Sequence, residues 1–205
     1  MKEKWSESSM DLKGKRRGRG AVGNPAGRFE SSRTVPFHDG WNSLEGPPPS
    51  LPTQVTPEKI RSIISRNDSP DIPFSQSINP YRGCEHGCIY CFARPTHSYL
   101  GLSPGLDFET RLFSKPEAPE QLRKELRRPG YRCRMIALGS NTDPYQPVER
   151  RLGLTRQIIS VMREFRHPFC LVTKSDLILR DLDLLAELAR AGLVYVMISL
   201  TTLDP

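Results

Sequence analysis

Three cysteines within eight residues constrain this chain more than any other feature of its sequence. Cys84, Cys88 and Cys91 are separated by three and then by two residues. Because each residue spans at most roughly 3.3–3.6 Å, the three thiols can converge on one metal centre. Structural zinc and iron–sulfur clusters usually take four protein ligands. A four-iron cluster held by only three cysteines would leave one iron free to bind a substrate or a cofactor.

The spacing by itself leaves several kinds of site open. Zinc could recruit His86, which lies between two of the cysteines, although the geometry would be awkward. A distant Cys133 or Cys170 could supply a fourth ligand for zinc or for a cluster. A disulfide framework is disfavoured, because the clustered cysteines are odd in number and no apolar segment at the N-terminus predicts a secretory signal.

The cysteine spacing, with Tyr90 directly before the third cysteine, resembles the signature of the radical S-adenosylmethionine (SAM) enzymes. Residues 142–149, together with Thr173 and Lys174, resemble the spore photoproduct lyase-like branch of that family. Residues 18–30 resemble the opening segment of an uncharacterised bacterial branch. The resemblance implies a 4Fe-4S cluster on the three cysteines with SAM at the open iron, and it favours this cluster over zinc.

The same resemblance implies SAM contacts at five further positions. Lys174 would meet the SAM carboxylate and Ser199 the ribose hydroxyls, roles that suit a point charge and a hydroxyl. Thr142 would lie near the amino-acid end, with Asp143 next to it among the cofactor-binding residues, and the backbone around Tyr90 would bind the adenine. A solvent-directed lysine and a satisfied core hydroxyl are the plainer alternatives for Lys174 and Ser199.

Short apolar strands alternate with amphipathic helices over most of the chain. The predicted strands cover residues 74–81, 134–138, 169–173 and 193–200, and the predicted helices cover residues 56–65, 119–128, 155–165 and 180–191. Residues 92–115 are predicted to form a long irregular connection. Alternation of this kind predicts an α/β fold with a parallel sheet, and the resemblance implies a partial (β/α) radical SAM barrel.

Polar groups follow each predicted strand. They are the cysteine stretch, residues 139–149, residues 173–175, and Ser199 with Thr201 and Thr202. Ligand sites of parallel α/β proteins collect at the carboxyl ends of the strands. The sequence therefore predicts one site at this end of the sheet.

Residues 1–55 are rich in glycine, proline, serine and charge, and we expect an extended, basic N-terminal arm. Residues 56–205 are predicted to be the N-terminal part of a radical SAM core domain. The chain stops after its fourth predicted strand, whereas the family core has six strand–helix units. We therefore expect a truncated core, or one half completed by a partner, with an apolar sheet edge exposed.

The leading hypothesis is an enzyme that reductively cleaves SAM to a 5′-deoxyadenosyl radical, with an electron donor such as a flavodoxin or a ferredoxin. The net charge of +7 and the basic run at residues 13–20 are compatible with a nucleic-acid substrate, as in photoproduct repair. The alternative is a non-enzymatic nucleic-acid-binding module stabilised by zinc or by an iron–sulfur cluster.

Free cysteines predict the cytoplasm, and no apolar run approaches the roughly 20 residues that cross a membrane.

Overall fold

The computed structural model describes residues 18–29 and 51–202, so residues 13–17 of the basic run lie outside the described part. The strands in these ranges are β1 (Gln54–Pro57), β2 (Ser65–Arg66), β3 (Gln76–Ile78), β4 (Tyr81–Arg82), β5 (Arg111–Ser114), β6 (Ile136–Leu138), β7 (Phe169–Thr173) and β8 (Val194–Ile198). The α-helices are α1 (Leu106–Thr110), α2 (Ala118–Leu126), α3 (Glu149–Leu152), α4 (Leu154–Glu164) and α5 (Leu182–Arg190), and 3₁₀ helices cover Arg94–Leu100 and Asp176–Asp181.

The larger sheet has five strands in the order β2-β3-β6-β7-β8. Strands β3, β6, β7 and β8 run parallel, and the short β2 pairs antiparallel with β3. The register aligns Ile78 with Leu138 and Leu138 with Leu171. This arrangement confirms the predicted α/β class with a parallel sheet. Within the described residues β8 pairs on one side only, with β7, so the barrel is not closed.

Helices α2, α4 and α5 bury their apolar faces in the main core. On α4, Leu154, Ile158 and Met162 recur at a spacing of four residues and are buried, which is the pattern of a helix packed on a sheet. The predicted helices at 119–128, 155–165 and 180–191 are confirmed, with bounds that differ by one or two residues. No helix in the described ranges has the length and apolar character needed to span a membrane.

A second, smaller sheet has the strand order β1-β5-β4, and it corrects the prediction of a helix at residues 56–65. Part of that segment is β1, which pairs parallel with β5. Further along, the backbone amides of Ile63 and Ile64 donate to the carboxylate of Glu125 on α2, at 2.8 and 3.2 Å. The predicted helix was wrong because a neighbouring strand and a buried carboxylate satisfy the main chain there.

The predicted strand at residues 74–81 is two strands in two sheets. β3 ends at Ile78, and after Asn79 and Pro80 the chain continues as β4, which pairs antiparallel with β5. Pro80 has no amide to donate, which suits a break between two ladders. The predicted irregular connection over residues 92–115 was also too simple, because it contains a 3₁₀ helix, α1 and β5.

Two buried carboxylates join the helices beneath the carboxyl end of the sheet. Glu149 accepts hydrogen bonds from Arg180 Nη2 at 2.7 Å, from the Thr155 amide at 3.0 Å and from the Tyr81 hydroxyl. Burial, followed by the charge of Glu149, raises the pKa of the Tyr81 hydroxyl above its ordinary value. Asp181, also buried, accepts from Arg180 Nε at 2.8 Å. These contacts fix α3 and the start of α5 under the site.

Candidate metal and cofactor site

The cysteine loop, residues 83–91, directly follows β4. Gly83 and Gly87 have φ angles of 75° and 63°, in the left-handed region that favours glycine. A Cβ on Gly83 would also lie 2.6 Å from Leu112 Cδ2 and 2.8 Å from the Phe108 carbonyl oxygen. The amide of Cys84 donates to that same carbonyl at 2.9 Å. Two glycines and contacts from α1 therefore set the path of the loop.

The three cysteines differ in burial. Cys84 is buried against Ala93 and Phe108, whereas Cys88 and Cys91 are half-buried. Burial raises the pKa of the Cys84 thiol to about 12, so a cation is needed to stabilise its thiolate at neutral pH.

A metal-binding group is not assembled in the described residues. No three histidine, cysteine, aspartate or glutamate side chains stand together there in a way that could hold a metal ion. The alternative ligand Cys133 is exposed, and Cys170 is buried within β7. The three thiols of the cysteine loop have the donor chemistry that an iron–sulfur cluster uses. They must turn towards one another to hold it.

Gln146 fixes the start of the cysteine loop from the segment that follows β6. Its side chain is buried, and Nε2 donates to the Gly83 carbonyl at 3.1 Å. Its Oε1 accepts from the Glu85 amide at 3.0 Å. The two bonds lie on either side of Cys84. Gln146 belongs to the stretch at residues 142–149 that carried the resemblance, but sequence reasoning gave it no role.

Asp143 connects the segment after β6 with the end of β7 and with the cysteine loop. Its Oδ1 accepts from Thr173 Oγ1 at 2.7 Å, and Oδ2 accepts from the Lys174 amide at 3.0 Å. His86 Nε2 lies 3.3 Å from Oδ2. Burial opposes ionisation of Asp143, but the contacts with His86, Lys174 and Thr173 outweigh it and lower the pKa of the carboxyl. This predicted cofactor residue therefore binds mainly to protein groups.

Lys174 reaches over the cysteine loop from the end of β7. Its Nζ donates to the Tyr90 hydroxyl at 2.7 Å and lies 5.1 Å from the centre of the Tyr90 ring. Burial opposes the charge of Lys174, but hydrogen bonds to Tyr90 and Cys88 outweigh it, so the pKa of the lysine is raised. The ammonium group is thus positioned beside the cysteines, with the exposed Tyr90 ring next to it.

The other two predicted SAM contacts lie at different depths. Thr142 is buried, and its hydroxyl donates to the Tyr81 carbonyl at 3.0 Å. Ser199 is exposed after β8, and its amide donates to the Thr173 carbonyl at 2.9 Å. Asn79, which sequence reasoning missed, accepts from the Asn141 amide at 2.8 Å and supports the segment that contains Thr142. The structure therefore gathers Tyr90, Asp143 and Lys174, with Thr142 below them and Ser199 at the neighbouring strand end.

The N-terminal strap, residues 18–25, is held beside the cysteine loop by α1. The buried carboxylate of Glu109 accepts from the amides of Gly20 and Ala21 at 3.0 and 2.9 Å. Arg19 donates from Nη1 to the Glu109 carbonyl at 2.9 Å. Arg94 binds the same carboxylate and also donates from Nε to the Cys88 carbonyl at 2.9 Å. One carboxylate thus ties the strap to the backbone of a predicted cluster ligand.

The strap also touches the cysteine loop directly. A Cβ on Gly20 would lie 1.7 Å from the Gly87 carbonyl oxygen, so only glycine fits this approach. Further along, the Leu106 amide donates to the Gly23 carbonyl at 3.0 Å. The resemblance at residues 18–30 drew attention to this segment, whereas nothing in the sequence identified Glu109 as its partner.

Comparisons with known proteins identify a family for most of the chain. A family model described as the radical SAM superfamily matches residues 78–205. Uncharacterised proteins of Mycobacterium bovis and Mycobacterium tuberculosis are 48% identical over 134 residues, which is 65% of this chain and 39% of each relative. An uncharacterised protein of Methanocaldococcus jannaschii is 31% identical over 107 residues, 52% of this chain and 38% of the relative.

The chain therefore spans well under half the length of these relatives, and no solved structure matches it. The names of the relatives give no activity, so the spore photoproduct lyase-like branch stays a prediction. The family model, in contrast, begins at the end of β3 and covers the cysteine loop and the carboxyl ends of β6, β7 and β8. The chain belongs to the radical SAM superfamily.

Proposed function

We propose that this chain is the core of an enzyme in which Cys84, Cys88 and Cys91 hold a 4Fe-4S cluster beside a SAM site at the carboxyl ends of the strands. Together these cofactors supply the reductive cleavage of SAM to a 5′-deoxyadenosyl radical that abstracts hydrogen from a substrate. The observation that carries the proposal is the contact of Lys174 Nζ with the Tyr90 hydroxyl at 2.7 Å. It brings a cation from β7 to the loop that bears all three cysteines.

The residues around the cysteine loop suit binding and positioning roles. Lys174 is a point charge suited to the carboxylate of SAM. Asp143 holds the Lys174 amide and Thr173, and so fixes the strand end from which the lysine extends. Tyr90 and the neighbouring Ile89 and Phe92 are exposed, which offers an apolar surface for an adenine ring. Thr142 and Ser199 complete the proposed SAM contacts.

We propose a nucleic-acid substrate, as in repair of a DNA photoproduct, on the strength of the resemblance and the basic charge of the chain. The electron would come from a small donor such as a flavodoxin or a ferredoxin, because reductive cleavage of SAM consumes one electron. A cytoplasmic, reducing setting would keep the thiols available for the cluster.

The alternative is a nucleic-acid-binding module in which zinc or an iron–sulfur cluster has only a structural role. Metal content separates zinc from the cluster. Anaerobically purified protein that is brown, with iron and sulfide, supports an iron–sulfur cluster, whereas colourless protein with stoichiometric zinc supports a zinc module.

Cysteine variants test the ligand assignment. We expect Cys84→Ala, Cys88→Ala and Cys91→Ala each to abolish cluster loading, measured as bound iron and sulfide after anaerobic reconstitution. Cys133→Ala and Cys170→Ala are matched controls, since they remove a thiol outside the cysteine loop, and should load normally. Full loading of any of the three loop variants would refute the assignment. Cleavage of SAM by the reconstituted protein, measured as 5′-deoxyadenosine formed, then distinguishes an enzyme from a structural cluster.

A further inference from the structure

A polar pocket lies at the amino ends of β3 and β6, at the opposite end of these strands from the cysteine loop. Its volume is about 550 Å³, and Arg66, Arg132 and Arg134 line it. Arg66 pairs with Gln76 between β2 and β3, and Arg134 precedes β6 by two residues. We call this the arginine pocket. It is distinct from the proposed SAM site by its position in the sheet.

The arginine pocket carries excess positive charge. Within residues 18–29 and 51–202, none of its three guanidinium groups has a carboxylate partner at ion-pair distance, whereas Arg82, for example, pairs with Glu58 at 2.8 Å. Asp68 is the single acidic residue in the lining. Three cations therefore face one anion in a concave surface, and an anionic ligand would be attracted to it.

Gln76 also lines the arginine pocket and is held in place by Tyr131. Its side chain is buried, and Oε1 accepts from the Tyr131 hydroxyl at 3.0 Å. Tyr131 is held in turn by His167 Nε2 at 2.8 Å. The three arginines offer only donors, which favours a ligand rich in acceptor oxygens.

We propose that the arginine pocket binds the phosphate groups of a nucleotide or of a single nucleic-acid strand. Guanidinium groups bind phosphate oxygens in a bidentate manner. The volume falls within the roughly 300–1,000 Å³ that is usual for small-molecule sites. SAM carries no phosphate, so the pocket has a ligand chemistry of its own, and this inference does not depend on the proposed cluster.

Calorimetry on the 205-residue chain tests the proposal with three probes: pyrophosphate, ADP and a short single-stranded oligothymidylate. We expect Arg66→Ala and Arg132→Ala each to weaken binding of the phosphate probe about ten-fold, because each removes a charge-assisted contact. The matched control is Arg190→Ala, which removes the same charge from the exposed end of α5 and should change affinity by less than about two-fold. Circular dichroism checks that all variants are folded.

The probes distinguish the source of the phosphate. Binding of pyrophosphate and ADP but not of the oligonucleotide identifies a nucleotide, and tightest binding of the oligonucleotide identifies a strand; both results support the pocket. Failure of all three probes to bind would overturn it. Equal losses in Arg190→Ala and in the pocket variants would overturn it as well, because they would indicate diffuse attraction by the basic surface.

Discussion

Asp181 and Asp183 both bind Arg156, but only one of them is removed from water. Asp181 Oδ1 lies 3.0 Å from Arg156 Nη1 and its side chain is 0% exposed, whereas Asp183, at 2.7 Å from Nη2, is 59% exposed. Burial opposes ionisation of Asp181, yet hydrogen bonds from Arg180, Arg156 and Tyr145 outweigh it and lower the pKa of its carboxyl. The same cation thus makes one buried and one solvated ion pair.

We expect Asp181→Ala to lower the free energy of unfolding by about 1–3 kcal/mol, because it leaves the buried Tyr145 hydroxyl without its acceptor, whereas Arg180 keeps its contact with Glu149. Asp183→Ala is the matched control and should have a small effect, since an exposed pair contributes little. Urea denaturation at neutral pH measures both. An equal loss in the two variants would contradict the importance of burial.

The contribution of Asp181 to the free energy of unfolding depends on pH, and the direction of this dependence follows from its lowered pKa. A carboxyl whose pKa is lowered by folding stabilises the protein above its unfolded pKa of about 3.9, and this stabilisation is lost as the pH falls towards the folded pKa. The difference in unfolding free energy between the wild type and Asp181→Ala should therefore narrow below about pH 4. A constant difference across this range would contradict the lowered pKa.

Lys174 allows a test of SAM binding that is separate from cluster loading. Lys174→Ala removes a charge beside Tyr90 and no predicted iron ligand, so iron content should be unchanged while SAM affinity falls about ten-fold or more. Lys124→Ala on α2 is the control for loss of one positive charge. Calorimetry on the reconstituted protein measures the affinity, and an unchanged value for Lys174→Ala would show that its contact is confined to Tyr90.

At the scale of elements, the strap and the cysteine loop meet at two glycines. Gly20→Ala would place a methyl group 1.7 Å from the Gly87 carbonyl oxygen, and the strap must move away. We expect a loss of about 1–3 kcal/mol in unfolding free energy, as for overpacking, together with faster loss of iron from the reconstituted protein.

Gly23→Ala is the matched control for this change. A Cβ there meets no atom within 4 Å, and the φ angle of Gly23 is outside the left-handed region, so the variant should resemble the wild type. Iron retention is measured from the decay of the cluster absorbance in air. Equal retention in Gly20→Ala and Gly23→Ala would show that the strap does not support the cysteine loop.

The spacing of apolar residues correctly predicted those helices and strands that carry a complete apolar pattern of their own. α4 and β7 were confirmed at 155–165 and 169–173 because each carries its own apolar pattern. The region between residues 51 and 82 was predicted poorly, because β1 and β4 are defined by pairing with β5, far along the chain. Most contacts of the site also join residues that are far apart in the sequence. Glu109 meets Gly20 across 89 residues, and no local pattern encodes such a pair.

On the scale of the whole molecule, the large sheet has an open edge at β8 within the described residues. β8 pairs with β7 alone in the described residues, and Tyr195 and Ile198 are 64% and 52% exposed. The expected apolar edge is therefore present. Unpaired strand edges with apolar side chains are sites of association.

We expect the 205-residue chain to self-associate at micromolar concentrations, giving species heavier than 23.2 kDa in sedimentation. Tyr195→Lys, which adds a charge to the exposed edge, should shift the chain towards the monomer. Leu179→Lys is the control, because Leu179 is 63% exposed but lies on a 3₁₀ helix away from the edge. A wild-type monomer under these conditions would contradict the prediction.

The position of Glu109 in the sequence also sets an order of events during synthesis. The strap is made first, the cysteine loop follows, and Glu109, which receives the amides of Gly20 and Ala21, is made only after Cys91. The strap therefore cannot dock while the cysteines are still emerging. All three thiols are synthesised before Glu109 can hold the strap against the cysteine loop, so we expect the docked strap to be no obstacle to loading of the proposed cluster at that stage.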